Sequence, residues 1–255
     1  MKVNVMKDEN AIAFKVAREI ETMITAKPDA LICLCAGSSP VPIMKRLVQD
    51  AKDGIYPSNR FKFVSLDEWV GLGIKDLGSC IHDVSKYFLD PLSIKKGERM
   101  FFFDGLSKDL EGECRRCHTF IEKNGGIDVI LLGIGMNGHI GFNEPGTQET
   151  DGVRVIRLSE MSKAVGVKYF DREYQLKQGI TIGIPQILGA RRILVICYGA
   201  HKKAIAERAV RGDKNTDCPI TLIRDHNDIE FYFDEKAAEG LYRGNEHETD
   251  YTKRN

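Results

Sequence analysis

The residues with the most chemistry to offer crowd one short stretch, Leu131-Leu-Gly-Ile-Gly-Met-Asn-Gly-His-Ile-Gly-Phe-Asn-Glu-Pro-Gly146. It sets Asn137, His139, Asn143 and Glu144 on a glycine-rich background. An imidazole titrates near neutral pH, and the carboxylate five residues later supplies a partner for proton transfer. Glycines allow positive φ angles and close backbone approach, which a small-molecule pocket needs. The spacing of Gly133, Gly135 and Gly138 also spells a dinucleotide-binding fingerprint. That fingerprint needs a helix to start at once, and the continuation His-Ile-Gly-Phe-Asn-Glu-Pro-Gly is too rich in glycine and proline to provide one. Asp151 also comes too early to serve as the ribose contact. A surface loop with a solvated histidine is the plainer alternative.

Three other segments carry candidate groups. Ala36-Gly-Ser-Ser-Pro40 joins an apolar run to a helix that Pro40 helps to start. Its free N–H groups and the Ser38 and Ser39 hydroxyls would face an anion there, although Ser39 could also cap the helix. Lys202 follows the run 192–197 through Tyr198-Gly-Ala-His201 and can bring an ammonium to the same anion. Asp67 and Glu68 end the run 61–66. Adjacent strand residues point to opposite sides, so one carboxylate of the two faces a pocket.

These groups must be held by the elements around them. The spacing predicts strands over 30–35, 61–66, 127–132, 153–158, 192–197, 220–224 and 229–233. It predicts helices over 12–25, 41–51, 80–88, 106–123, 159–171, 184–188, 201–211 and 235–242. Strands separated by helices imply crossover units: an α/β fold with an open, doubly wound, mostly parallel sheet and helices on both faces. Ligands of such sheets bind beyond the carboxyl ends of the strands, where the candidate segments begin. One domain over 1–242 is expected, followed by a polar, disordered tail over 243–255.

With 255 residues the chain can bury a large single core. Lys plus Arg and Asp plus Glu are balanced at 37 each, which favours neither nucleic acid nor an acidic membrane as partner. Residues 1–10 lack a signal-peptide core, and no apolar run approaches the ~20 residues of a membrane span. A cytoplasmic location is therefore expected, with the seven cysteines as buried free thiols. Cys114-Arg-Arg-Cys-His118 matches a haem-attachment spelling, yet it lies within a helix pattern and is read as carrying two incidental thiols.

Three motifs in register resemble the glucosamine-6-phosphate deaminase and galactosamine-6-phosphate isomerase family. They are the Gly-Ile-Gly-Met-Asn-Gly-His-Ile-Gly-Phe-Asn-Glu-Pro-Gly loop, Val64-Ser-Leu-Asp-Glu-Trp-Val-Gly-Leu72, and Leu31-Ile-Cys-Leu-Cys-Ala-Gly-Ser-Ser-Pro40. The resemblance spans about residues 10 to 240. It implies an aldose–ketose isomerisation of a 2-amino-2-deoxyhexose 6-phosphate with release of ammonia. It assigns the base that moves a proton between C2 and C1 to Asp67, and ring opening to His139 with Glu144 orienting the imidazole. Asn137 stands where relatives have Asp or Asn, and an amide can position but not accept a proton. Phosphate contacts fall to Ala36, Gly37, Ser38, Ser39 and Lys202, with Lys168 where the family carries a basic residue. The resemblance implies no metal, no organic cofactor and a homo-oligomer. Trp69, Gly78-Ser-Cys80, Lys27-Pro-Asp-Ala-Leu-Ile-Cys33 and Gly179-Ile-Thr-Ile-Gly183 look more like the galactosamine branch. Related alternatives are a 6-phosphogluconolactonase-type hydrolase and a module that senses sugar phosphates without turnover.

Overall fold

Residues 1–95, 97–166, 170, 174 and 176–242 are described by the structure, a computed structural model. Lys168 and the tail 243–255 lie outside them. The strands are β1 (Lys2–Met6), β2 (Leu31–Leu34), β3 (Lys62–Ser65), β4 (Asp67–Trp69), β5 (Met100–Phe101), β6 (Val129–Gly133), β7 (Arg154–Arg157), β8 (Gln178–Thr181), β9 (Arg192–Cys197) and β10 (Ile229–Asp234). The helices are α1 (Glu9–Ala26), α2 (Val41–Lys52), α3 (Cys80–Val84), α4 (Leu110–Lys123), α5 (Glu160–Gly166), α6 (Ile184–Leu188), α7 (Lys203–Arg211) and α8 (Glu235–Tyr242).

Seven strands form a parallel sheet in the order β1-β10-β9-β6-β2-β3-β5. Branched, apolar β2 and β6 are buried along nearly their whole length, as central parallel strands should be. From β2 the chain winds outward through β3 to β5, returns to β6 on the other flank of β2, and then winds the opposite way through β9 to β10. With right-handed crossovers this reversal places helices on both faces, as expected from the alternation of elements. It also creates a switch point between β2 and β6, where the loops after both strands open a crevice. Helix α1 begins at Asp8, whose carboxylate accepts from Ala11 N at 2.9 Å, and it buries the stripe Ile12, Val16, Ile20 and Ile24.

Several elements depart from the sequence-based expectation. The run 220–224 is not a strand: Pro219–Ile223 forms a buried 3-10 helix. Proline lacks the N–H a ladder requires, and Thr221 Oγ1 accepts from Asn215 N at 2.9 Å, stabilising the turn. The expected strand 153–158 exists as β7, but it joins a second, antiparallel sheet of order β4-β8-β7. Strands β1, β4, β5 and β8 were not expected at all. Each is short, and β1 becomes a strand because it pairs with β10 along its whole length. Helix α4 starts at residue 110 rather than 106, since Asp109 caps it by accepting from Gly112 N. The seven cysteines are free and buried. In α4, Cys114 and Cys117 face the core while His118 is solvent-exposed and pairs with Glu122 at 3.3 Å, so the haem-like spelling does not group in space. Among the described residues, no helix is long and apolar enough to cross a membrane.

Candidate active site

The loops leaving β2 and β6 meet β4 around one cavity of about 180 Å³. Ala36, Gly37, Ser38 and Ser39 form one wall, Asp67 and His139 line others, and Lys202 closes the ring. Residues far apart in sequence thus converge at the switch point. No helix follows Gly138, which argues against the dinucleotide reading of the loop.

At the Ala36–Ser39 wall, Pro40 is the cap residue of α2 and makes no side-chain cap bond. The Ser39 hydroxyl is therefore not spent on capping α2. Lys202 ends a 3-10 turn ahead of α7 and donates from Nζ to Ile134 O in the loop after β6. It makes no ion pair among the described residues, and burial lowers its pKa. Such an ammonium gains from an anionic ligand.

The pair Asp67 and Glu68 splits as strand geometry requires. Asp67 faces the cavity, where burial pushes its carboxyl up to about 7, opposed by a hydrogen bond with the Cys80 thiol. Glu68 turns away and binds backbone N–H groups of Trp69, Cys80 and Ile81 at 2.8, 3.0 and 2.8 Å. It fastens the start of α3 beneath the cavity.

His139 sits in a loop folded back on itself, with Gly135 N donating to His139 O at 2.9 Å. A Cβ on Gly135 would lie 2.3–2.5 Å from three atoms of the imidazole, including Nε2. Glycine at 135 is therefore a steric requirement of the ring position. Nδ1 points the other way, 3.6 Å from Glu144 Oε2. Burial lowers the His139 pKa and the nearby Lys202 lowers it further, while Glu144 opposes both. Burial thus favours the neutral imidazole.

Asn137 and Glu144 stand behind His139 and do not line the cavity. Asn137 Nδ2 donates to Glu144 Oε2 at 3.0 Å, and its Oδ1 accepts from His139 N at 3.2 Å. An amide placed so can position both neighbours. Asn143 is fully buried: Nδ2 donates to Ile140 O and Ile182 O, and Oδ1 accepts from Arg154. It braces the loop and does not reach the site. Cavity residues that the sequence reading did not assign include Cys80, Asp83, Met161 and Ser162. Ser162 sits on a helix whose Ser-x-x-Ser start looks like ordinary capping, so nothing local distinguishes it.

Comparison with known proteins follows the same geometry. The family model for glucosamine-6-phosphate isomerases/6-phosphogluconolactonase matches residues 7–231. The glucosamine-6-phosphate deaminase of Bacillus velezensis is 33% identical over 241 residues, covering 94% of this chain and 100% of that protein. The deaminase of Thermoanaerobacter sp. (strain X514) is 31% identical over 239 residues, covering 93% and 94%. A solved monomeric glucosamine-6-phosphate deaminase superposes with a TM-score of 0.90 at 32% identity, covering 94% of this chain and 100% of that one. The 6-phosphogluconolactonase of Trypanosoma brucei shares the fold, with a TM-score of 0.72 at 19% identity and 94% and 98% coverage. Motifs, topology and these matches agree that the chain belongs to the glucosamine-6-phosphate isomerase/6-phosphogluconolactonase family.

Proposed function

We propose that this protein isomerises and deaminates a 2-amino-2-deoxyhexose 6-phosphate, giving the ketohexose 6-phosphate and ammonia. The observation that carries the reading is that Asp67, with its raised pKa, and the neutral His139 open onto one cavity with Ser38, Ser39 and Lys202. The serine loop and Lys202 hold the phosphate, by N–H and hydroxyl donation and by point charge. His139 takes the anomeric hydroxyl proton as the C1–O5 bond breaks and returns a proton to O5, opening the ring. Asp67 then removes the C2 proton, giving an enolamine, and delivers a proton to C1. The resulting C2 iminium adds water and expels ammonia. The C1 carbonyl accepts the electron pair as the C2 proton leaves and O1 takes up a proton. The enolamine returns that pair to C1, and the nitrogen accepts a pair when water adds to C2 and ammonia departs. A carboxyl with a pKa near 7 is well matched to taking and returning a proton at carbon. Glu144 acts through His139, stabilising the imidazolium as it forms.

Galactosamine 6-phosphate is the proposed preferred sugar. The support is that Trp69 and Cys80, two residues that set this sequence apart from the glucosamine pattern, both line the cavity. The deaminases compared above are named for glucosamine 6-phosphate, which differs only at the C4 hydroxyl, a contrast that one hydrogen bond can read. The test is ammonia and ketose-phosphate release from both amino-sugar 6-phosphates, with 6-phosphogluconolactone as a control. The expected result is release from both, with the higher kcat/KM for galactosamine 6-phosphate. Asp67→Asn should lower kcat by roughly 10³-fold and leave KM nearly unchanged. Lactone hydrolysis without ammonia, or full turnover by Asp67→Asn, would refute the assignment.

A further inference from the structure

Ser162 on α5 and Ser159 just ahead of it bring two hydroxyls to the back of the His139–Glu144 pair. Ser159 Oγ lies 3.1 Å from Glu144 Oε1 and 3.2 Å from Ser162 Oγ. Ser162 N donates to Ser159 Oγ at 3.1 Å. Ser162 Oγ in turn lies 3.5 Å from His139 Nδ1, the nitrogen that also faces Glu144 at 3.6 Å. Ser162 is 3% exposed, so water does not compete freely for its hydroxyl.

The direction of these bonds follows from counting hydrogens. Each hydroxyl has one proton to give and two lone pairs. As a carboxylate, Glu144 only accepts, and a charged acceptor takes the stronger bond, so the Ser159 proton goes to Oε1. Ser159 Oγ is left to accept from both the N–H and the O–H of Ser162. Where the Ser162 proton goes to Ser159, Ser162 Oγ accepts from His139. With an acceptor-only carboxylate oxygen 3.6 Å from the same nitrogen, this arrangement favours a hydrogen on Nδ1.

We propose that Ser159 and Ser162 are positioning residues whose hydroxyls run from Glu144 to His139 and hold the imidazole as its Nδ1–H tautomer. Nε2, beside Gly135 at the cavity, is thereby left without a proton and free to accept one from the anomeric hydroxyl. The catalytic consequence rests on the function proposed above; the tautomer does not. Helix α5 thus supplies no reacting group, but it decides which nitrogen reacts. The two serines add a second route from Glu144 to Nδ1 beside the direct 3.6 Å approach, in steps of 3.1, 3.2 and 3.5 Å.

The test is ¹⁵N–¹H correlation spectroscopy of the histidine side chains in the full, substrate-free chain, with His139→Gln used to assign the signals. Wild type is expected to show a protonated Nδ1 and a bare Nε2 for His139. Ser162→Ala should shift the ring toward the Nε2–H tautomer, and Ser162→Thr, which keeps the hydroxyl, should restore the wild-type signature. In parallel, kcat/KM for ammonia release should fall roughly tenfold in Ser162→Ala and recover substantially in Ser162→Thr. A wild-type ring protonated on Nε2, or a Ser162→Ala spectrum identical to wild type, would overturn the proposal whatever the activity. Absence of ammonia release from the wild type would instead remove the deaminase reading, and the spectra would still decide the tautomer.

Discussion

Asp67 illustrates how burial alone can prepare a group for chemistry. Its carboxyl rises to about 7 because the surrounding cavity penalises the charged form more than the Cys80 hydrogen bond rescues it. His139 shifts the other way for the same reason, since its charged form is the protonated one. The proposed base therefore becomes competent as pH climbs through about 7, while burial favours the neutral imidazole. For the substrate-free enzyme, kcat/KM should rise with pH, with an apparent pKa near 7. A pH–rate profile between 5 and 9 checks this, and a flat profile across neutrality would be inconsistent with Asp67 as the base. The residue types at both positions were readable in the sequence. Their shifted titration was not, because desolvation comes from walls contributed by other segments.

At the level of elements, strand β7 shows how a segment outside the central sheet controls the signature loop. Arg154 on β7 donates from Nη1 to Asn143 Oδ1 and from Nη2 to Thr147 Oγ1, both at 2.9 Å. Those partners flank Glu144 in sequence, so the guanidinium clamps the stretch that aims the carboxylate at His139. Arg154→Ala would leave the buried Asn143 oxygen without its partner, at a cost of about 1–3 kcal/mol. The expected outcome is a melting temperature lower by several degrees, accompanied by a loss of kcat/KM. Calorimetry and steady-state assays check both, and an unchanged stability would show that the clamp is dispensable. The small sheet β4-β8-β7 depends on another tight fit: at Gly179, opposite Trp69, a Cβ would lie 2.5 Å from the Phe142 ring. Periodicity revealed that 153–158 is a strand; it carried no information about the partner.

For the molecule as a whole, one acidic pair far from the cavity ties stability to pH. Glu21 on α1 lies against Asp50 on α2, with Arg18 2.9 Å from Glu21 and Arg46 2.6 Å from Asp50. Burial and the neighbouring Asp50 raise Glu21 to about 7, against an ordinary value of 4.5. The folded state therefore binds a proton that the unfolded chain has released between those values. The stability this proton confers is complete below the unfolded value and is lost as pH rises toward about 7. Glu21→Gln keeps a neutral donor toward Asp50 at every pH. Its melting temperature relative to wild type should be higher at pH 8 than at pH 5, by about 3 °C if roughly 1 kcal/mol is involved. Thermal melts at the two pH values decide this, and an equal difference at both would show that Glu21 is not protonated in the fold.

The sequence by itself determined the central architecture and the chemical groups on offer. Branched apolar runs such as 31–34 and 127–132 can be little else than buried parallel strands, and the loops that follow them carry Ser38, Ser39 and His139 wherever those strands go. Only the tertiary structure decided how those groups meet. Asp67 faces the cavity because β4 pairs antiparallel with β8, and Ser162 reaches His139 because α5 folds back over the loop. The physical reason is that local pattern reports how deeply a segment is buried and on which side. Which distant segment covers it is settled by long-range pairing and packing, and the proposed proton chemistry depends on those contacts.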